Sequence, residues 1–163
     1  MEIERKFLIE EKNLPEHLDD YTHKEFEQGY LCTAPVVRAR REGDSYVLTY
    51  KGGGLLSREE YNLPLNEESF RHLINKADGI IIHKIRYFIP LDEAHTIELD
   101  IFQGDLSGLI LAEIEFNSEE EALNYPVPDW FGREVTYESA YHNSTISKVG
   151  LPKEFQNKKG AVK

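Results

Sequence analysis

Hydrophobic and polar residues alternate with a period of two along much of this chain. Side chains on a strand point to opposite faces in turn, so such stretches read as half-buried β-strands. The pattern predicts strands over residues 2–9, 36–41, 46–51, 58–63, 81–89, 96–102 and 109–116, most of them rich in β-branched or aromatic residues. Glu42-Gly43-Asp44 and Gly52-Gly53-Gly54 sit between consecutive strands and read as hairpin turns, which makes the sheet largely antiparallel. Helical spacing appears in three places. Asn66 caps a segment that gathers Phe70, Leu73, Ile74 and Ala77 on one face, with Gly79 as its expected end. Ser118 and Glu121 have capping-box spacing ahead of Pro126, and a further helix is expected over residues 139–148. A short turn is expected over residues 14–18.

The polar positions of these strands are charged to an unusual degree. Glu2, Glu4 and Lys6 share one face of the first strand, opposite Ile3 and Phe7, with Arg5 between those two apolar residues. Arg38 and Arg40 face away from Val37 and Ala39, and Lys51 lies on the face of Thr49 and Val47. Arg58 pairs with Glu60, Lys84 with Arg86, Glu98 with Asp100, and Glu113 with Glu115 by the same parity. One solvated face would account for any single strand. Taken together, the strands are numerous enough to close a barrel, whose charged faces would line the interior while the apolar faces pack under helices. Unpaired charge inside a protein is very costly, but mixed signs, water, a metal and a bound anion make such a lining tolerable. Arginine grips phosphate oxygens through paired donors, and lysine acts as a point charge. Carboxylates two positions apart on a strand suit Mg2+ or Mn2+, whereas zinc would recruit His or Cys.

Composition narrows the class further. A chain of 163 residues, 40% apolar and 30% charged, suits one folded domain. No apolar run approaches the roughly 20 residues a membrane span needs, and the charged opening Met1-Glu2-Ile3-Glu4-Arg5-Lys6 is not a secretory signal. A single cysteine, Cys32, excludes an internal disulfide and a Cys cluster for zinc, so a cytoplasmic location is expected. The net charge of -11 disfavours general nucleic-acid binding without forbidding a basic pocket inside an acidic shell. The domain is expected to cover residues 1–150, with residues 151–163 as a C-terminal extension that frays from Asn157.

The opening Glu2-Ile3-Glu4-Arg5-Lys6 resembles the ExExK signature of the CYTH superfamily, the triphosphate tunnel metalloenzymes. Gln28-Gly29-Tyr30-Leu31, Arg38-Ala39-Arg40, Tyr50-Lys51-Gly52, Arg58-Glu59-Glu60, Lys84-Ile85-Arg86-Tyr87, Glu98-Leu99-Asp100 and Glu113-Ile114-Glu115 follow in the order of that family. Gly132-Arg133-Glu134-Val135-Thr136 resembles its late segment, with Arg133 where lysine is frequent. The resemblance spans residues 1–150. It implies a β-rich α+β fold, a closed eight-stranded antiparallel β tunnel with flanking helices. It implies metal ligation by Glu2, Glu4, Glu113 and Glu115, with Mg2+ or Mn2+ as cofactor. Lys6, Arg38, Arg40, Lys51, Lys84 and Arg86 would hold the triphosphate as catalytic cations, joined in substrate binding by Arg58 and Arg133. Tyr30, Glu60, Glu98 and Asp100 would support them.

The expected reaction is metal-dependent hydrolysis of inorganic triphosphate to pyrophosphate and phosphate. Hydrolysis of a nucleotide or thiamine triphosphate, adenylate cyclase chemistry, and non-enzymatic polyphosphate binding remain as alternatives. No base-recognition motif stands out. The glycine triplet lacks the Gly-Lys-Ser/Thr ending of a P-loop. The histidines, His142 among them, lack metal-ligand spacing and read as structural or solvated. Cys32 has no partner for nucleophilic chemistry, and Trp130 and Phe131 read as packing residues. Lys148 is either a residue at a tunnel mouth or a solvated lysine at a helix end. The sequence leaves the oligomeric state open.

Overall fold

The computed structural model describes residues 1–156. The fraying expected from Asn157 onward lies outside them. Its strands are β1 (Glu2–Leu8), β2 (Thr22–Thr33), β3 (Val36–Glu42), β4 (Ser45–Lys51), β5 (Ser57–Arg58), β6 (Glu60–Leu65), β7 (Asp78–Pro90), β8 (Thr96–Phe102) and β9 (Ile110–Glu115). They form one nine-stranded antiparallel sheet in the order β5-β1-β9-β8-β7-β2-β3-β4-β6.

This corrects the expected closed eight-stranded tunnel. The sheet curls about 284° round its axis and leaves a seam between its edge strands β5 and β6. The physical reason lies in the stretch expected to be one strand over residues 58–63. It breaks at Glu59, and its two halves pair in opposite directions: Arg58 lies opposite Glu2, and Glu60 opposite Lys51. Two consecutive segments on one path cannot ladder with each other. Pro64 also removes a donor from the β6 edge. A side chain spans the seam instead: Lys51 Nζ of β4 donates to Glu2 Oε1 of β1 at 2.8 Å while lying 3.8 Å from Glu60 of β6.

The apolar faces lie outside the curl and are covered piecewise. Helix α1 (Glu67–Ile74) starts in a full capping box, with Ser69 N donating to Asn66 Oδ1 at 2.7 Å and Asn66 N to Ser69 Oγ at 3.1 Å. It buries Phe70 and Ile74 against Ala39. The helix ends at Ile74 rather than near Gly79. Helix α2 (Glu119–Asn124) carries half the expected capping box. Ser118 Oγ accepts from Glu121 N, but the Glu121 carboxylate turns to His95 Nε2 at 2.6 Å. Trp130 and Phe131 pack beside Ile97, Leu99, Ala112 and Ile114, as expected of packing residues. Single 3-10 turns at Glu11–Asn13 and Leu18–Asp20 stand where one short turn was expected.

The helix expected over residues 139–148 is two pieces. A 3-10 turn at Ser139–Tyr141 and helix α3 (Asn143–Val149) flank an extended His142. Tyr141, Ile146 and Leu151 pack with Val135 against Tyr30, Val36, Ile82 and Phe102, so this segment forms a floor at one end of the curl. Gly79 permits that docking. Its φ is +70°, and a Cβ there would stand 2.3 Å from Ser147 O of α3. Gly79→Ala is therefore expected to loosen α3 and to lower stability by about 1–3 kcal/mol, read as a lower denaturant midpoint. A wild-type midpoint would show that the contact gives way without cost. No helix among the described residues is long and apolar enough to cross a membrane.

Candidate active site

The inner face of the curl encloses a cavity of about 250 Å³. Strand parity delivers its lining. β1 contributes Glu2, Glu4 and Lys6, β3 contributes Arg38 and Arg40, β4 contributes Lys51, and β7 contributes Lys84 and Arg86. Arg58, Glu60, Glu98, Glu113, Glu115 and Tyr30 complete the expected set at the cavity. Asp100 lies wholly buried behind Lys84 and Arg86. Arg133 lies elsewhere. It is half exposed, pairs with Glu138 and with Glu154 at 2.6 Å, and does not reach the cavity. Lys148 is exposed and also off the cavity.

The lining is divided by sign. Acids crowd onto adjacent strands, where Glu4 lies opposite Glu115 and Glu98 opposite Glu113 in register. Like charges directly opposite on one face of a sheet repel. Burial raises Glu4 well above the usual carboxylate range, and the nearby Glu113 and Glu2 push it further. Burial together with a hydrogen bond to Glu60 lifts Glu2 to about 7. Burial also raises Glu115, with Glu98 and Glu60 adding to the effect. Glu113 is the counterpart: against its burial, Lys6 and Arg86 and a hydrogen bond from Glu4 keep it well below the ordinary value. Glu60, also opposed by burial, is drawn to about 2 by Glu2, Asn62 and Lys51.

The basic wall faces these acids from β3 and β7. Asp100 accepts from Arg86 Nε at 2.7 Å and Nη2 at 2.8 Å and from Lys84 Nζ at 2.7 Å. Arg86 also pairs with Glu98, and Arg40 with Glu42. Arg38 is different: its Nη2 donates to Thr49 Oγ1 at 3.2 Å, and no carboxylate lies within ion-pair distance of it among the described residues. Among the described residues, the buried Nε atoms of Arg38 and Arg40 have no hydrogen-bond partner. Burial lowers Arg40 to about 10, with Arg38 and Arg86 contributing repulsion. A desolvated cluster of cations with idle donors is the electrostatic complement of a polyanion.

The floor and the rim supply residues that the sequence did not single out. Thr136, His142, Asn143 and Ser144 line the floor, and Phe26, Glu42 and Phe88 line the walls. Asn143 Oδ1 accepts from Lys84 Nζ at 3.3 Å and from Gln28 Nε2 at 3.2 Å. His142 lines the cavity rather than standing apart from it. Burial, with Lys6 and Arg58 nearby, pulls it to about 4 and keeps the ring neutral. Glu42 and Phe88 continue the parity of Arg40 and Arg86 and were legible from it. The floor residues carry no such periodic signal.

The acidic wall fits a divalent cation by its chemistry. Its donors are carboxylate oxygens, and burial with mutual repulsion makes Glu4 hold a proton between itself and Glu113. No three His, Cys, Asp or Glu side chains among the described residues already stand as a ligand cluster, so rotamer changes on β1 and β9 would be needed to gather them.

A sheet curled round facing acidic and basic walls defines a tunnel protein built for a metal and a polyanion. A family model described as the CYTH domain matches residues 1–149, and the chain belongs to the CYTH family. It is 39% identical over 150 residues to an inorganic triphosphatase of Nitrosomonas europaea, covering 90% of this chain and 96% of that one. An inorganic triphosphatase of Acetivibrio thermocellus is 36% identical over 154 residues, covering 90% and 93%. A crystal structure of an inorganic triphosphatase superposes with a TM-score of 0.68 at 34% identity, covering 93% of this chain and 97% of that one.

Proton linkage gives the acidic wall a test of its own. Carboxyls raised in the fold bind more protons there than in the unfolded chain, so their contribution to stability is full below the unfolded value near 4.5 and is lost as pH rises through about 7. The metal-free protein is expected to melt several degrees lower at pH 8 than at pH 5.5. His95, raised by hydrogen bonds to Glu121 and Asp92, adds to the trend, whereas His142, lowered to about 4 by burial, opposes it and reduces the net shift. Mg2+ or Mn2+ is expected to recover most of the loss at pH 8. Calorimetry showing no recovery would remove the metal from this wall.

Proposed function

We propose that this protein hydrolyses inorganic triphosphate to pyrophosphate and phosphate, using Mg2+ or Mn2+, in the cytoplasm. The observation that carries the reading is the division of one cavity into a proton-holding acidic wall and a basic wall with idle donors. Relatives at 39% and 36% identity, both inorganic triphosphatases, support it.

Glu2, Glu4, Glu113 and Glu115 would hold the metal. When bound, the metal neutralises phosphate charge and polarises the reacting phosphoryl group. Arg38, which no carboxylate of the described residues engages, and Arg40, whose Nε stays unpartnered beside its contact with Glu42, would take phosphate oxygens. Lys84 and Arg86, fixed by Asp100, would present rigid positive charge to the transferring phosphoryl group. Lys6, which reaches Tyr141 O at 3.2 Å, and Arg58, which donates to Gly52 O at 3.2 Å, would hold the ends of the chain. Lys51 couples the two sides of the seam and would keep Glu2 in place. Net reaction requires one water, whose proton leaves as the terminal bridging P–O bond breaks.

Phosphate release from purified protein, given tripolyphosphate with Mg2+ or Mn2+, is the direct test. Absence of metal-dependent release overturns the reading. Comparing kcat/KM for tripolyphosphate, ATP and thiamine triphosphate fixes the substrate, with tripolyphosphate expected to lead. Arg38→Ala is expected to weaken triphosphate binding more than metal binding, by on the order of tenfold to a hundredfold in KM. Equal loss of both affinities would place Arg38 outside the phosphate site.

A further inference from the structure

Phe26 on β2 is buried, with 2% of its surface exposed, yet it belongs to none of the apolar clusters of the fold. Its neighbours are cations. Arg86 lies 4.8 Å from the ring centroid, Arg40 5.0 Å and Lys84 5.7 Å. These come from β7 and β3, the strands on either side of β2, so one ring bridges the basic wall at its middle.

A wall that binds a polyanion must hold like charges together while no ligand is present. Carboxylates do this only by occupying the N–H donors that the phosphates need. An aromatic face attracts a cation through its quadrupole and leaves the in-plane guanidinium donors free. The division of partners follows this logic. Asp100 and Glu98 anchor Arg86, Glu42 engages Arg40 at the rim, and the inward space between them is filled by a ring rather than by an acid. Arg40 Nε remains unpartnered beside it.

We infer that Phe26 is a positioning residue for triphosphate, holding Arg40, Arg86 and Lys84 together in a shared cation–π contact that places no further carboxylate between them and leaves Arg40 Nε unoccupied, while Asp100 and Glu98 already engage Arg86 and Asp100 engages Lys84. The inference rests on the triphosphate reading above. It concerns how the wall is arranged and assigns Phe26 no contact with the reacting atoms.

The test is a graded series at one position. Phe26 is replaced site-specifically by mono-, di- and trifluorophenylalanine, which keep shape and burial while draining the ring quadrupole. Phe26→Leu removes the ring, and Phe26→Trp strengthens it. Metal-free tripolyphosphate affinity by calorimetry, KM, kcat and melting temperature are measured for each. Expected are melting temperatures that fall modestly and in step across the fluorinated series, as the ring loses its hold on the cations, and a stepwise loss of affinity reaching roughly tenfold at the trifluoro ring, with KM moving more than kcat. Phe26→Leu is expected to fall at or beyond the end of that series, and Phe26→Trp to retain affinity if it folds. Unchanged affinity and KM across the fluorinated series, in a wild type that binds tripolyphosphate, overturns this inference alone. A wild type that binds no tripolyphosphate overturns the functional reading and this inference with it.

Discussion

Glu4→Gln is expected to abolish metal-dependent turnover while making the metal-free protein more stable at pH 8. The two effects have one cause. Glu4 is half-buried among Glu2, Glu113 and Glu115, and desolvation with their repulsion raises its carboxyl well above the usual range, so glutamine mimics the protonated state that this environment favours. Removing the repulsion raises the melting temperature at a pH where the native carboxyl is under pressure to ionise. The same change removes a carboxylate from the proposed metal site, and metal contributions to phosphoryl transfer amount to several kcal/mol. A loss of kcat/KM on the order of 10²–10³-fold follows. Glu113→Gln is expected to match the loss of turnover without the gain in stability, because ionised Glu113 pairs with Lys6 at 3.9 Å and Arg86 at 3.8 Å. Glu115→Gln should weaken metal binding least, since Glu115 is the exposed member of the set. Calorimetric metal affinity, steady-state kinetics and thermal melts on the three variants decide the matter. Wild-type metal affinity and turnover in Glu4→Gln would show that the acidic wall is not the metal site.

Much of that wall was visible in the alternation of the chain. Inner residues two apart on a regular strand announce themselves in pairs, as Arg38 with Arg40, Lys84 with Arg86, and Glu113 with Glu115 do. The strand that was missed, β2, hides its alternation. Its start, Thr22 to Glu25, is polar throughout, and register shifts on both sides of Tyr30 break the parity where it would be clearest. Phe26 and Gln28 were lost with it. The number of strands and the open seam were illegible for another reason. Closure depends on whether the two edges can ladder, and here the edges are the consecutive segments β5 and β6, whose split at Glu59 changes no local pattern. The floor is likewise tertiary. Helix α3 is short, and its position is set by Gly79 on β7 and by Ser147 Oγ, which donates to Ile80 O at 2.9 Å. The misplacement of Arg133 has a simple origin: the late segment does lie beside β1, through the Phe7–Glu134 bridge, but Thr136 is the residue that reaches the cavity, accepting from Lys6 N, while Glu134 pairs with Arg5 on the other face and Arg133 turns to Glu138 and Glu154.

Asp100→Ala is expected to cost about 3–5 kcal/mol of folding stability, the range seen when one partner of a buried ion pair is removed. Asp100 has no exposed surface, and burial alone would raise its pKa. Arg86 and Lys84 reverse that and hold it below the ordinary value through three short charge-assisted bonds. Without it, Lys84 is left wholly buried with only Asn143 as a close polar partner among the described residues, and its pKa, already lowered to about 8 by burial, has to fall further. Arg86 cannot shed its proton and keeps Glu98 and a distant Glu113. Bound tripolyphosphate would supply the missing negative charge, so it should raise the melting temperature of Asp100→Ala more than that of wild type. The double variant Asp100→Ala/Lys84→Met removes the stranded ammonium and is expected to recover part of the loss, giving a coupling free energy above 1 kcal/mol in a double-mutant cycle. Denaturant unfolding with an unchanged slope gives the stabilities directly. A single variant within about 0.5 kcal/mol of wild type, or strictly additive losses, would mean that Asp100 does not hold the basic wall together.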